Sequence, residues 1–220
     1  MPDPIRVLVV DDHASVRAGL LALLAREPGI EPVGGAATAA EAHDLWLGGA
    51  RADVVVIDQH LPDENGLSLC LWLKSGRRPP AVVLYATSAG EELALPAIVA
   101  GADAVVSRTA DPTGLGAVVR AVGAGERHLP PLPAQVAGGA GEALAPDDLP
   151  ILGMLRHAVS PDEIAATLSI APGELAIRRW AMLEVLTAPP VVPAPPRLRR
   201  SVQAMRTLSS PAATTSPGWS

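Results

Sequence analysis

Between residues 5 and 122 the chain alternates five times between a short apolar, β-rich run and a helical segment. The runs fall at 5–10, 32–36, 53–57, 81–85 and 104–107, the one at 32–36 being the weakest. Helical patterns follow at 15–26, 38–47, 67–74, 91–100 and 112–122. Few folds accept such an order. It predicts an α/β domain with an open parallel sheet and helices on both faces. The punctuation agrees: Pro28-Gly29 and Gly48-Gly49 stop the first two helices, and Thr38 with Glu41 has capping-box spacing. Pro96 falls inside the fourth helix, where a kink is expected.

Sites in open parallel sheets form beyond the carboxyl ends of the strands. Asp11, Asp12, Asp58, Ala86 and Arg108 all stand there. Three carboxylates this close repel one another unless something compensates. A hard divalent cation does so, and Mg²⁺ suits one or two carboxylates with water and phosphate oxygens. A carboxylate beside such an ion can attack a phosphoryl donor and become an aspartyl phosphate. Simpler readings stand beside this one. Asp11 and Asp12 suit a helix N-terminus, and Arg108 suits an exposed strand end.

Three motifs in order carry a resemblance over about residues 4–127. They are Val9-Val10-Asp11-Asp12-His13, then Val56-Ile57-Asp58-Gln59-His60-Leu61-Pro62 with Gly66, then Ala100-Gly101-Ala102-Asp103 with the strand ending at Arg108. The sequence resembles the receiver domain of bacterial two-component response regulators, which implies a flavodoxin-like, five-stranded parallel sheet. The resemblance implies that Asp58 is the phosphoacceptor. It implies Mg²⁺ held by Asp12, Asp58 and the backbone carbonyl of His60, with Asp11 acting through water. A sensor histidine kinase is the implied donor. Three positions depart from the family pattern. Arg108 stands in place of a lysine, Ala86 in place of a serine or threonine, and Val105 in place of an aromatic residue. Thr87 follows Ala86 and could replace the missing hydroxyl, or be an ordinary loop residue.

Residues 144–186 resemble the LuxR-type helix-turn-helix of NarL-family regulators. The framework is Leu144, Ile151, Leu152 and Leu155, then Ser160 to Ile170 with Glu163-Ile164-Ala165, then Glu174-Leu175. A recognition helix over 172–186 would lie in the DNA major groove, with Arg178 and Arg179 as candidate contacts. This stretch holds six acids against three arginines, unfavourable for a surface that meets phosphates. A helical packing or dimerisation module that no longer reads DNA is the other reading. Trp180 suits either a core position or a half-exposed anchor.

Residues 128–143 read as a linker, and 187–220 as a disordered Pro-rich, basic tail. The single cysteine, Cys70, excludes an internal disulfide and suits a small core residue. The histidines show no metal-ligand spacing. A net charge of -6 excludes a uniformly basic coat, and no apolar run approaches a membrane span, so no membrane partner is expected. Together these features predict a cytoplasmic response regulator that acts on transcription, with DNA and a homodimer of this chain as further partners. The alternative is a pseudo-receiver acting by phosphate-independent protein binding. An aspartate-nucleophile phosphohydrolase commonly needs an acid two residues after the nucleophile. His60 stands there, so the chain is not expected to be an enzyme.

Overall fold

Strand β1 (Ile5–Val10) is apolar on both faces and is flanked by β2 (Ile30–Ala36) and β3 (Val54–Asp58). With β4 (Ala81–Ala86) and β5 (Ala104–Ser107) they form one parallel sheet in the order β2-β1-β3-β4-β5. The computed structural model describes residues 3–109, 114–133, 138–139 and 143–188. Helices α1 (Ala14–Leu24), α2 (Ala39–Leu47), α3 (Gly66–Lys74), α4 (Ala94–Ala100) and α5 (Leu115–Gly123) complete the doubly wound unit. Strand β2 starts two residues earlier than its pattern suggests, and its Pro32 is accepted because β2 lies at the sheet edge.

Side chains alternate across the sheet and build two aliphatic layers. Val9, Val56 and Val83 face Leu24, Leu115 and Val119 of α1 and α5. Leu8, Ile57 and Leu84 belong to the opposite layer, with Leu71 of α3 and Val99 of α4. Cys70 sits there fully buried, its thiol 3.4 Å from the Ala100 carbonyl oxygen. Burial pushes that thiol up to about 12, so it is an inert core residue.

Local chemistry sets the helix ends. The Thr38 hydroxyl accepts the Glu41 N–H at 3.0 Å, and Asn65 Oδ1 accepts the Leu67 N–H at 2.9 Å. The segment expected as one helix over 91–100 is instead a 3₁₀ turn, Glu91–Leu93, followed by α4. Pro96 is the third residue of α4, inside a first turn whose N–H groups lack intrahelical acceptors, so the ring displaces no bond. The chain leaves α4 through Gly101, at a φ of 80° that glycine adopts without strain.

A 3₁₀ turn, Pro146–Asp148, opens three further helices: α6 (Leu149–Arg156), α7 (Pro161–Leu168) and α8 (Pro172–Thr187). Ser160 and Glu163 form a reciprocal capping box at α7. Ile151, Ile164, Leu175 and Met182 join the same buried cluster as α3 and α4. Trp180 is half-buried against that cluster. Ahead of this module, His128 bridges to Ala104 along the outer edge of β5, and Leu132 packs on the core, both within the stretch expected as a linker. Helix α8 runs to Thr187. The rest of the expected tail, beyond Ala188, lies outside the described residues. No described helix is long and apolar enough to cross a membrane.

Candidate functional site

Strand β3 lies at the centre of the sheet, and its last residue is Asp58, only 1% exposed. Strand β1, beside it, ends one residue before Asp11, also 1% exposed. The sheet register alone therefore brings these carboxylates together. Asp12 follows at the surface, and His13 is the N-terminal cap residue of α1. One donor atom from each of Asp11, Asp12, His13 and Asp58 falls within a set no more than 4.8 Å apart. His13, which closes the first sequence motif, thus joins the three aspartates. Its Nδ1 is 2.5 Å from Asp12 Oδ1. Neither aspartate caps α1. Asp11 Oδ1 instead accepts the His13 N–H at 2.9 Å, and Arg17 Nη1 donates to the Asp11 carbonyl at 2.6 Å.

Arg108 reaches across from the end of β5. Its Nη1 donates to Asp58 Oδ2 at 2.8 Å, and its Nη2 lies 3.5 Å from Asp11 Oδ2. The guanidinium carbon stands 5.7 Å from the centre of the Tyr85 ring, close enough for attraction to the ring face. The Arg108 N–H is fixed on the Ala86 carbonyl at 2.7 Å. Arg108 is therefore part of the site and not a free charge at a strand end. Tyr85, a contact not read from sequence, pairs directly with Asp58 in the register and so lies next to it.

The site is short of positive charge. Three carboxylates face one guanidinium, which leaves two negative charges in excess. Asp11 Oδ2 is buried with no hydrogen-bond partner among the described residues. Burial, with the charge of Asp58 added to it, holds the Asp11 carboxyl above its ordinary value against the pull of the His13 N–H and Arg108. An orphaned buried oxygen, three carboxylates and an excess of two charges fit a hard divalent cation. His60, two residues past Asp58, donates its N–H to Asp58 Oδ1 at 3.3 Å. Gly66 opens α3 against the end of β3, and a Cβ there would collide with the Asp58 carbonyl oxygen.

Thr87 is one residue past β4 and exposed. Its carbonyl accepts Ser107 Oγ at 3.4 Å, and its own hydroxyl makes no hydrogen bond among the described residues. Ala86 is fully buried. The two arginines expected to meet DNA are both engaged. Arg178 is held by Glu174 Oε1 at 3.1 Å, Asp148 Oδ1 at 3.7 Å and the Asp147 carbonyl at 3.3 Å. Arg179 is 3% exposed and donates its Nε to the Val99 carbonyl of α4 at 3.0 Å. No carboxylate of the described residues lies within ion-pair distance of it. In this arrangement Arg179 faces the receiver and not solvent, unlike its expected place on a DNA-contacting surface.

The doubly wound parallel sheet in the order β2-β1-β3-β4-β5, with an acidic cluster at its carboxyl edge, places the chain in the flavodoxin-like class of α/β domains. Residues 7–120 match the family described as the response regulator receiver domain. The chain is 36% identical over 178 residues to the DNA-binding transcriptional activator DevR/DosR of Mycobacterium tuberculosis, covering 76% of this chain and 81% of that one. It is 40% identical over 111 residues to a protein-glutamate methylesterase/protein-glutamine glutaminase of Caulobacter vibrioides, covering 50% of this chain and 32% of that one. The chain thus spans only about a third of that relative's length. Among solved structures it resembles a LuxR-family two-component response regulator from Aurantimonas sp. SI85-9A1. That match has a TM-score of 0.54 at 31% identity and covers 64% of this chain and 97% of that one. The chain belongs to the response regulator family and is of the NarL/LuxR type.

Proposed function

We propose that Asp58 is the phosphoacceptor of a phosphorelay and that the C-terminal helices carry the output to DNA. One observation carries the first half: a buried carboxylate at the end of the central strand, bonded to Arg108 at 2.8 Å and flanked by Asp11 and Asp12. An oxygen of Asp58 attacks the phosphorus of a phosphohistidine on a sensor histidine kinase. The P–N bond breaks, its electron pair stays with the departing imidazole, and that imidazole gains a proton. Asp11, Asp12, Asp58 and the His60 carbonyl would hold Mg²⁺, which when bound neutralises the phosphoryl oxygens. Arg108 aims the Asp58 carboxylate and balances part of its charge. The chain accepts a phosphoryl group and is not itself a turnover enzyme.

The receiver spans 4–127 and the helix-turn-helix 144–186, and the protein acts in the cytoplasm. Helix α8 is the DNA-reading helix, and its packing on α3 and α4 holds the module closed. A change at α4 after phosphorylation releases Arg179 and α8, and two copies then read paired half-sites. The receiver matches support the phosphorelay half of this reading, and the transcriptional activator among the relatives supports the output. Acetyl phosphate with Mg²⁺ should label the wild type, while Asp58→Asn should lose at least nine-tenths of the label on a phosphate-affinity gel. Equal labelling of both proteins would refute the assignment. Salt-sensitive retention of duplex DNA after phosphorylation tests the output.

A further inference from the structure

We propose that the cleft between the receiver and the C-terminal helices, with Arg179 at its floor, binds a small phosphate-bearing anion. The effect of that anion on activity rests on the reading that α8 leaves α3 and α4 on phosphorylation.

Arg179 is 3% exposed, and no described carboxylate lies within ion-pair distance of its charge. Its Nε donates to the neutral Val99 carbonyl at 3.0 Å, and its two terminal nitrogens make no hydrogen bond among the described residues. A buried cation with only a neutral acceptor is costly, and an anion on its open side offsets that cost. Arg179 lines two adjoining clefts of about 430 and 210 Å³, which share Lys74, Pro79 and Pro161. Its Nη2 stands over the bare backbone of Gly101, which lines the smaller cleft.

Four cations line the two clefts, Lys74, Arg77, Arg127 and Arg179, against Asp103 and Asp162. Lys74 and Asp103 pair with each other at 2.6 Å. Two positive charges are left in surplus, in a chain whose net charge is -6. Arg77 is exposed and makes no ion pair or hydrogen bond among the described residues. Arg127 donates to the Ala102 carbonyl at 3.4 Å. Helices α7 and α8 both begin on the rim, at Pro161 and Pro172, so the positive ends of their dipoles lie there. A phosphate monoester carries about two negative charges near neutrality, and planar guanidinium forks hold its oxygens in pairs. The larger cleft has the dimensions of a small-molecule site. Lys74 and Arg77 lie at the end of α3 and just beyond it, and Arg179 lies on α8. An occupant therefore bridges receiver and module, and by mass action it holds α8 in place.

The test is titration calorimetry of the full chain at low salt in EDTA, with glycerol phosphate, inorganic phosphate and glycerol as probes. Glycerol phosphate binds one to one and glycerol does not. R77Q removes a cation with no hydrogen bond or ion pair in the described fold. It weakens binding roughly tenfold or more, as for a lost charged hydrogen bond, while its X-ray scattering profile stays that of the wild type. R179K keeps the charge, loses the fork and weakens binding likewise. D58N binds as the wild type does. Inorganic phosphate binding as tightly as glycerol phosphate makes free phosphate the occupant, and weaker binding makes it a phosphorylated metabolite. Absence of heat from both phosphate probes overturns the site. Undiminished binding by R77Q and R179K overturns it too, as does loss of binding in D58N or equal binding of glycerol. In scattering of the chain activated with beryllium fluoride and Mg²⁺, saturating glycerol phosphate reverses the expansion, and an expansion that persists overturns the bridging. An activated chain that never expands counts against the release of α8 alone, and the isotherms still decide the cleft.

Discussion

Asp11 is held almost wholly out of water, and, with Arg108 Nη2 3.5 Å away, one of its carboxylate oxygens makes no hydrogen bond among the described residues. Its elevated pKa means that the charged form is a burden on the folded state at neutral pH. Asp11→Asn should therefore raise Tm in the absence of divalent ions. Saturating Mg²⁺ should stabilise the wild type by about 2.7 kcal/mol at a hundred times its dissociation constant, a rise of roughly 5–10 °C in Tm. The asparagine variant should lose most of that rise. Calorimetric scans with and without the ion measure both effects, and an unchanged ion response in the variant would refute the cation site. The acidic trio was legible in sequence because each aspartate follows a β-branched run, and strand ends converge in a parallel sheet. Tyr85 as the platform for Arg108 was not legible, since its role depends on which side of β4 the register exposes to Arg108.

At the scale of elements, strands were read almost to the residue because buried runs of Val, Ile and Leu have no competing pattern. The segment around Pro96 misled, because an apolar run cannot reveal where a 3₁₀ turn passes into an α-helix. Helix α7 shows how a local signal becomes stability. The Ser160 hydroxyl accepts the Glu163 N–H at 3.3 Å, and Glu163 returns the contact to the Ser160 N–H at 3.2 Å. Ser160→Ala should cost about 1 kcal/mol, read in urea denaturation. The hydrogen bonds from Ser160 hold the Glu163 carboxyl below its ordinary 4.5. A depressed acid contributes stability above its unfolded value and loses it as pH falls through the folded one. The difference between wild type and Ser160→Ala should thus be full near neutrality and shrink below pH 4.5. The part of the cost due to the Ser160 hydroxyl accepting the Glu163 N–H persists in acid, and a difference that did not shrink at all would mean that the Ser160 hydroxyl's bond to the Glu163 carboxylate at 2.8 Å adds nothing to the cap.

Across the whole described molecule, one apolar cluster runs from the sheet through α4 into α8. Arg179 crosses that seam and meets the carboxyl end of α4, where exposed carbonyls and the helix dipole favour a cation. Gly101 makes room for it, for a Cβ there would lie 2.8 Å from Arg179 Nη2. Sequence could not show this contact, because its acceptor is a backbone carbonyl 80 residues away and carries no side-chain signature. Arg179→Ala leaves that carbonyl without its donor and opens a void. The closed population should fall roughly tenfold or more, as expected for losing a hydrogen bond from a charged group. Small-angle X-ray scattering should show a larger radius of gyration, and a profile identical to the wild type would mean that Arg179 does not hold the module. The latch also has a practical signature. It joins a guanidinium to a neutral carbonyl away from solvent, so added electrolyte barely weakens it, whereas attraction between an exposed cation and a nucleic-acid backbone fades steeply. Raising ionic strength should accordingly strip the protein from DNA while leaving the shut form shut, which separates the two equilibria in a single titration.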